Sequence, residues 1–326
     1  MANINLRIDD LDLKLLYELD KNSKIPVTQL AKKLRVSREI VKYRIKKLTD
    51  AKIIKSFTTM INPAKFGYII YKIYIKFHNL EKTREEQLKD FLLEHKNVFW
   101  LARCDGTYDF IIGVYVSNIT EFNDFIMEFN KEYSNNIFSR HISNSVFVDI
   151  YRKDYLTSEN SETVFWGGVP KDEKMDELSK KVLKLIAENS RMPIAEICEK
   201  ANSTPKTVIE KIKSMEKKKI ILGYRIILDL SKINKENFKA IFYFQNIDPN
   251  KEKLFKEFCK LNPNVCYYIK TIGEWDVELD IEIEDFKKYN ILLRTIKEKF
   301  GEIIKTIDSV YLTNELKGEL NIVQNL

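Results

Sequence analysis

Residues 37–48 read Ser-Arg-Glu-Ile-Val-Lys-Tyr-Arg-Ile-Lys-Lys-Leu, which places a capping hydroxyl ahead of five cations and an evenly spaced set of aliphatic residues. Ser37 can accept from the first helical turn, and Val41, Ile45 and Leu48 share one side of a 3.6-residue period. Arg38, Lys42, Lys46 and Lys47 fall on the flanks or the opposite face, with Glu39, Tyr43 and Arg44 among them. A short helix with one apolar side and one basic, hydrogen-bonding side is what a DNA major groove accepts. A solvated surface helix of an ordinary domain carries the same pattern, so this stretch alone leaves both readings open.

A second chemistry-bearing pattern is Gly106-x-x-Asp109, which returns as Gly273-x-x-Asp276 with Tyr108 and Trp275 beside the carboxylates. Glycine supplies a positive-φ turn there, and the aspartate can accept from the loop backbone. Catalytic patterns are missing: there is no glycine-rich phosphate loop, no H-E-x-x-H and no G-x-S-x-G. His78, His95 and His141 are scattered, and Cys104, Cys198, Cys259 and Cys266 form no C-x-x-C pair. Reduced thiols and no metal, cofactor or catalytic residue are expected.

These residues sit in a chain of 326, long enough for two domains or more. Lys+Arg 55 against Asp+Glu 48 leaves a net charge of +7, which permits a nucleic-acid partner without demanding one. Its placement says more, because residues 1–67 hold 15 basic and 7 acidic side chains. No window approaches the roughly 18 apolar residues of a membrane span, and the first residues lack a signal-like apolar core, so a cytoplasmic protein without a membrane partner is expected.

Residues 10–19 have helical apolar spacing, Pro26 opens a second short helix, and Arg35-Val36 turns into the Ser37 helix. With the strand-like residues 56–61 after them, these read as a winged helix-turn-helix. Residues 69–77, 81–94, 98–102, 109–116, 121–133 and 146–150 then alternate as βαββαβ, a ferredoxin-like sandwich whose second sheet face needs cover. Self-similarity settles the organisation. Asn22-Ser23, Pro26, Val41, Ile45, Ile53-Ile54 and Gly106-x-x-Asp109 recur as Asn189-Ser190, Pro193, Val208, Ile212, Ile220-Ile221 and Gly273-x-x-Asp276, all 167 positions later. After a short deletion, Ser145-Val146-Phe147 matches Ser309-Val310-Tyr311. The fold class is α+β, two copies of one unit: winged helices at 1–67 and 173–232, ferredoxin-like domains at 68–151 and 233–326. Residues 152–172 read as a polar linker ending in an apolar cluster around Phe165-Trp166 that can dock on a domain.

Asp10-Leu11-Asp12-x-x-Leu15-Leu16, the Ser37-x-x-x-Val41-x-x-Arg44-Ile45-x-x-Leu48-x-x-x-x-Ile53-Ile54 pattern and Gly106-Thr107-Tyr108-Asp109 together resemble the Lrp/AsnC (feast/famine) transcriptional regulators. The resemblance implies a sequence-specific regulator that binds double-stranded DNA and responds to a small molecule, often an amino acid. It also implies that Gly106, Tyr108, Asp109, Gly273, Trp275 and Asp276 border effector pockets. Family members have this unit once. Its fusion in tandem implies an intrachain pseudo-dimer whose sheets cover each other, and further self-association is common in the family. The second reading helix, capped by Thr204, offers Lys206, Lys211 and Lys213 as secondary DNA contacts. It places Ile209 and Glu210 where the first has Lys42 and Tyr43, and Glu196 and Glu199 replace Gln29 and Lys32. Acidic side chains facing phosphates cost affinity, so the first copy should carry most of the binding. Two rivals stand beside this reading. Sirohaem decarboxylases are similar to the same two-domain unit, and an effector-binding protein whose winged helices make only protein contacts would share the pattern.

Overall fold

The computed structural model describes residues 8–78, 80–157, 162–246, 248–318 and 323. The first copy runs α1 (Asp10–Lys21), α2 (Val27–Leu34), α3 (Arg38–Asp50), β1 (Ile54–Ile61), β2 (Ile69–Phe77), α4 (Lys82–Glu94), β3 (Val98–Gly106), β4 (Phe110–Val116), α5 (Ile119–Tyr133) and β5 (Ile137–Ile150). A short β6 (Val164–Gly167) follows. The second copy repeats the order as α6 (Glu177–Glu188), α7 (Ile194–Ala201), α8 (Pro205–Lys217), β7 (Ile221–Leu228), β8 (Glu236–Phe244), α9 (Pro249–Leu261), β9 (Val265–Gly273), β10 (Val277–Ile283), α10 (Phe286–Phe300) and β11 (Ile304–Lys317). The chain divides into two compact units: residues 1–61, 151–164 and 176–235 hold both winged helices, and residues 62–150, 165–175 and 236–326 hold both ferredoxin-like domains.

In the winged-helix unit, helix starts follow the caps. Asp9 accepts from Asp12 N at 2.8 Å and Asp176 from Ser179 N at 2.8 Å, and Ser37 and Thr204 cap α3 and α8. The tight turn before each reading helix needs a left-handed residue, and Arg35 (φ 55°) and its repeat equivalent Asn202 (φ 50°) supply it. Leu15, Leu16, Leu19, Leu30, Val41 and Leu48 form one core with Ile226 and Leu228 of the second copy. The copies meet because β1 and β7 pair antiparallel, with the repeat-equivalent Thr58 and Arg225 opposite one another on a local pseudo-twofold axis. Ser23 Oγ and Ser190 Oγ, another equivalent pair, lie 2.6 Å apart. Ser23 N donates to Tyr224 O at 3.2 Å and Ser190 N to Phe57 O at 2.9 Å, the same bond made twice.

In the sheet unit, strand order is β2-β4-β3-β11-β8-β10-β9-β5, and β5 also pairs with β2. Eight strands thus close on themselves, and closure removes the edges that each four-stranded sheet would leave open. The expected βαββαβ order is present in both copies, and the face of each sheet away from its helices is covered by becoming the inside of this barrel. On the outside of the first copy, Leu88, Leu92, Phe122, Phe125 and Phe129 of α4 and α5 pack on Ile73, Ile75, Ile112 and Val114.

Two expectations are corrected. Lys72 lies opposite Ser143, and its equivalent Lys239 lies opposite Val310, so the repeat keeps its 167-residue offset to the last strand. The expected deletion matching Ser145 to Ser309 would shift β11 by three residues, and an odd shift turns every side chain to the other face. Pairing register, which residue likeness does not reveal, decides the equivalence. Nor are residues 152–157, in the polar part of the expected linker, free of the winged-helix core. Asp154 accepts from Tyr17 OH at 3.3 Å, Leu156 joins the winged-helix core, and β6 pairs with β5 as an added strand. Trp166 is buried, and Phe165 stacks on Phe147 at 5.6 Å while remaining half exposed. Residues 158–161, the middle of the expected linker, lie outside the described residues.

Candidate nucleic-acid interface

Helix α3 buries Val41 and Leu48 completely and leaves Ser37, Arg38, Glu39, Lys42, Tyr43 and Lys46 exposed, Tyr43 by 68%. Lys46 makes an exposed ion pair with Asp50 one turn on, at 2.7 Å. Pairs of that kind are worth little and yield easily to a phosphate. Lys42 and Lys46 also line an open pocket of about 300 Å³ with Val27, Ile45 and Arg191 of the second copy. Arg191 is held there by donating to the carbonyls of Ser23 (2.5 Å) and Ile25 (3.1 Å). Sequence reasoning passed over Arg191, whose one signal is that it stands at the repeat position of Lys24.

Arg44 and Lys47 are turned another way from the expectation. Arg44 Nη1 donates to Asp9 Oδ1 at 2.7 Å and to the fully buried Asp12 at 2.6 Å, and Lys47 reaches Asp12 at 3.3 Å. These cations fasten α3 to α1. The second copy repeats the device: Lys211, at the position of Arg44, donates to Asp176 at 2.6 Å and holds that carboxyl down at about 2. Lys211 is therefore also taken up in a helix-to-helix tie. Thr204, Lys206 and Lys213 remain exposed on α8, beside Glu210 and an Ile209 that is 39% exposed.

The Gly-x-x-Asp loops have a structural task. Asp109 accepts from Phe77 N at 2.8 Å and from Lys76 Nζ at 2.7 Å, and Asp276 accepts from Phe244 N at 2.7 Å. Gly106 (φ 109°) and Gly273 (φ 150°) pass beside a neighbouring strand, and a Cβ at Gly273 would sit 2.7 Å from Ile142 O. Tyr108 and Trp275, expected beside effector pockets, are sealed inside the barrel at 1% and 2% exposure. Their rings turn into the barrel, where Tyr74 packs edge-on against both, at 5.2 and 4.7 Å. An open pocket of about 210 Å³ lies on the other side of the first loop, lined by Glu85, Arg103, Cys104, Asp105 and Asp109. Burial pushes the Cys104 thiol up to about 12, so it is a neutral wall of that pocket.

The barrel interior holds charges that sequence reasoning missed, because a lysine on alternate strand positions reads as solvent-facing. Lys72 donates to Glu278 at 2.7 Å, Lys239 reaches Glu278 at 3.3 Å and also bonds Asp280. Trp275 Nε1 and Ser143 Oγ donate to the other Glu278 oxygen at 3.0 and 3.2 Å. Burial alone would push the Glu278 carboxyl up, but Lys72 and Lys239 outweigh it and hold it at about 2. The Lys72 ammonium is shifted down by burial, whereas Asp280 and Glu278 overcome the same penalty at Lys239 and shift it up.

Comparison with known proteins agrees with this geometry. Residues 8–49 match the AsnC-type helix-turn-helix domain, and residues 175–221 match a winged helix-turn-helix DNA-binding domain. An HTH-type transcriptional regulator of Pyrococcus furiosus is 32% identical over 121 residues, which cover 37% of this chain and 80% of that relative. The chain belongs to the Lrp/AsnC family of transcriptional regulators. Regulator FL11 of the same organism is 28% identical over 120 residues, 36% of this chain and 78% of its own. The proline dehydrogenase transcriptional activator of Rhodobacter capsulatus is 29% identical over 124 residues, 37% and 79%. Each relative is thus about the length of one copy, and this family member carries two helix-turn-helix modules. Across its whole length the chain shares its fold with the siroheme decarboxylase NirDL, at a TM-score of 0.64 and 12% identity over 97% of this chain and 98% of that one. Among the described residues no helix is long and apolar enough to cross a membrane.

Proposed function

We propose that this family member regulates transcription chiefly through α3, which lays Arg38, Lys42, Tyr43 and Lys46 against a DNA major groove with Ser37 and Glu39 at its leading turn. Arg191 adds a cation from the second copy. Helix α8 makes a weaker contact through Thr204, Lys206 and Lys213. The observation that carries this reading is the outward display of the α3 cations over a sealed apolar face. A small zwitterion such as an amino acid modulates binding from the pocket beside the Gly106–Asp109 loop by exchanging the Arg103–Glu85 ion pair that lines it for its own carboxylate and ammonium. The chain acts by binding, without a catalytic step.

The test is anisotropy of labelled genomic duplex fragments with full-length protein at low salt, followed by recovery of bound fragments with and without an amino-acid mixture. Salt-sensitive binding with enrichment of particular fragments is expected. No binding at low salt, with an absorbance shift on adding sirohaem, would replace this reading with the enzymatic one.

A further inference from the structure

The two copies differ most sharply where they meet. Lys72 and Lys239 are repeat equivalents, and both are buried in the barrel. The carboxylates that satisfy them, Glu278 and Asp280, come from the second copy alone, because the first has Ile111 and Gly113 at those positions. The four charges cancel only because the copies are unlike. Two first copies meeting in this geometry would bury two ammonium groups with no carboxylate at these positions. Two second copies would bury two ammonium groups against four carboxylates. The winged-helix unit carries the same logic independently. Arg225, 3% exposed, donates to the fully buried Asp20 from Nε (3.1 Å) and Nη2 (3.0 Å). Their equivalents are Thr58 and Ala187, so two second copies would bury two arginines with no carboxylate at that position, and two first copies would leave each Asp20 without Arg225, keeping only Arg152 on its carbonyl and the Lys153 N–H on its carboxylate.

We propose that these buried charges make each copy specific for the other, so that the pairing faces accept only a face of the complementary charge and reject a copy of themselves. A buried charge deprived of its partner is strongly destabilising, whereas a balanced and fully bonded set is tolerated. Specificity is a difference between partners, and here the unpaired charges against the wrong partner supply it. Lys72, Glu278, Asp280, Asp20 and Arg225 are the residues that set it.

The experiment starts from the full-length chain with a protease site placed between residues 157 and 162. The folded protein is cut, denatured, refolded and weighed by native mass spectrometry. Complexes of one first and one second copy are expected, with like pairs depleted more than about 100-fold below their statistical share, as breaking one buried pair implies. Like pairs near the statistical share would overturn the proposal. If the cut chains do not refold, the intact chain decides. Glu278→Ile should lower the melting temperature, and adding Ile111→Glu, which returns a carboxylate at the equivalent place, should recover at least half of the loss. A double variant no more stable than the single one would show that charge balance does not set the pairing.

Discussion

Replacing Lys42 and Lys46 together by alanine probes the reading helix without touching its core. Both ammonium groups are exposed, and the Lys46–Asp50 pair lost in the process is a solvated i,i+4 contact worth about 0.3–0.5 kcal/mol. Each phosphate neutralised on duplex DNA contributes about 0.9 to the slope of log K against log salt, so two lost contacts should flatten that slope by about 1.8. Over a fourfold rise in salt, from about 50 to about 200 mM, the affinity advantage of the unaltered protein over the variant should shrink about 10-fold. Anisotropy titrations of a mixed-sequence duplex across that range read the slope directly. The matched variant on α8, Lys206→Ala with Lys213→Ala, should flatten it much less, because Glu210 and Ile209 stand where α3 presents Tyr43 and Lys42. Equal flattening by the two double variants would refute the asymmetry. An unchanged slope for the α3 variant would refute the docking itself.

The cations assigned to structure should behave in the opposite way. Arg44→Ala should cost about 1–3 kcal/mol in thermal unfolding by stripping a bond from buried Asp12, Lys211→Ala less than about 1 kcal/mol at its exposed Asp176 pair, and neither should alter the salt slope. Glu278 has a depressed pKa, so its stabilisation is fully present above the ordinary value of 4.5 and is lost as pH falls towards about 2. Tryptophan fluorescence during acid titration should follow that loss, since Trp275 donates to the carboxylate; Glu278→Gln should be less stable at neutral pH and flatter across the same window. Gly273→Ala should lower the melting temperature more than Gly106→Ala, because its Cβ meets Ile142 O at 2.7 Å whereas that of Gly106 finds Ser309 O at 3.6 Å. The reverse order would contradict the described register.

The duplication, the element order and the helix caps were legible because each rests on local pattern: a constant offset, a 3.6 or 2.0 period, a hydroxyl or carboxylate at a helix start. The roles of Arg44 and Lys211 were also within reach. Arg44 follows Val41 by three and precedes Leu48 by four, which sets it inside the apolar stripe, and Lys211 stands in the same relation to Val208 and Met215. What stayed hidden depended on distant partners. Nothing near Lys72 announces Glu278, 206 positions away, and nothing in the last strand announces that β11 closes on β3. Polar side chains at alternating strand positions look solvated until the opposite wall of the barrel is known. The turn at Arg35-Val36 was legible, but its left-handed backbone was not, because arginine carries no signal for it; at Asn202 asparagine does, since it tolerates that conformation better than most residues.

The outward and inward differences between the copies belong to one argument. Two identical units that pair about a twofold axis must change both equivalent positions at once, so a new charge near the axis meets itself. Fusion lifts that constraint, and Thr58 opposite Arg225 and Ile111 matched to Glu278 are changes that only unlike halves tolerate. The same freedom let α8 exchange Lys42 and Tyr43 for Ile209 and Glu210. On the proposed function α8 is the weaker reader, and such a reader serves a regulator only when it is always paired with the stronger one, because complexes with two α3 helices or two α8 helices would favour different half-sites. Covalent linkage gives every chain one of each, and charges that forbid like pairs stop the copies of separate chains from exchanging into like pairs. The inward charges thereby protect the outward asymmetry, and variants that relax pairing should also broaden the range of DNA sites bound.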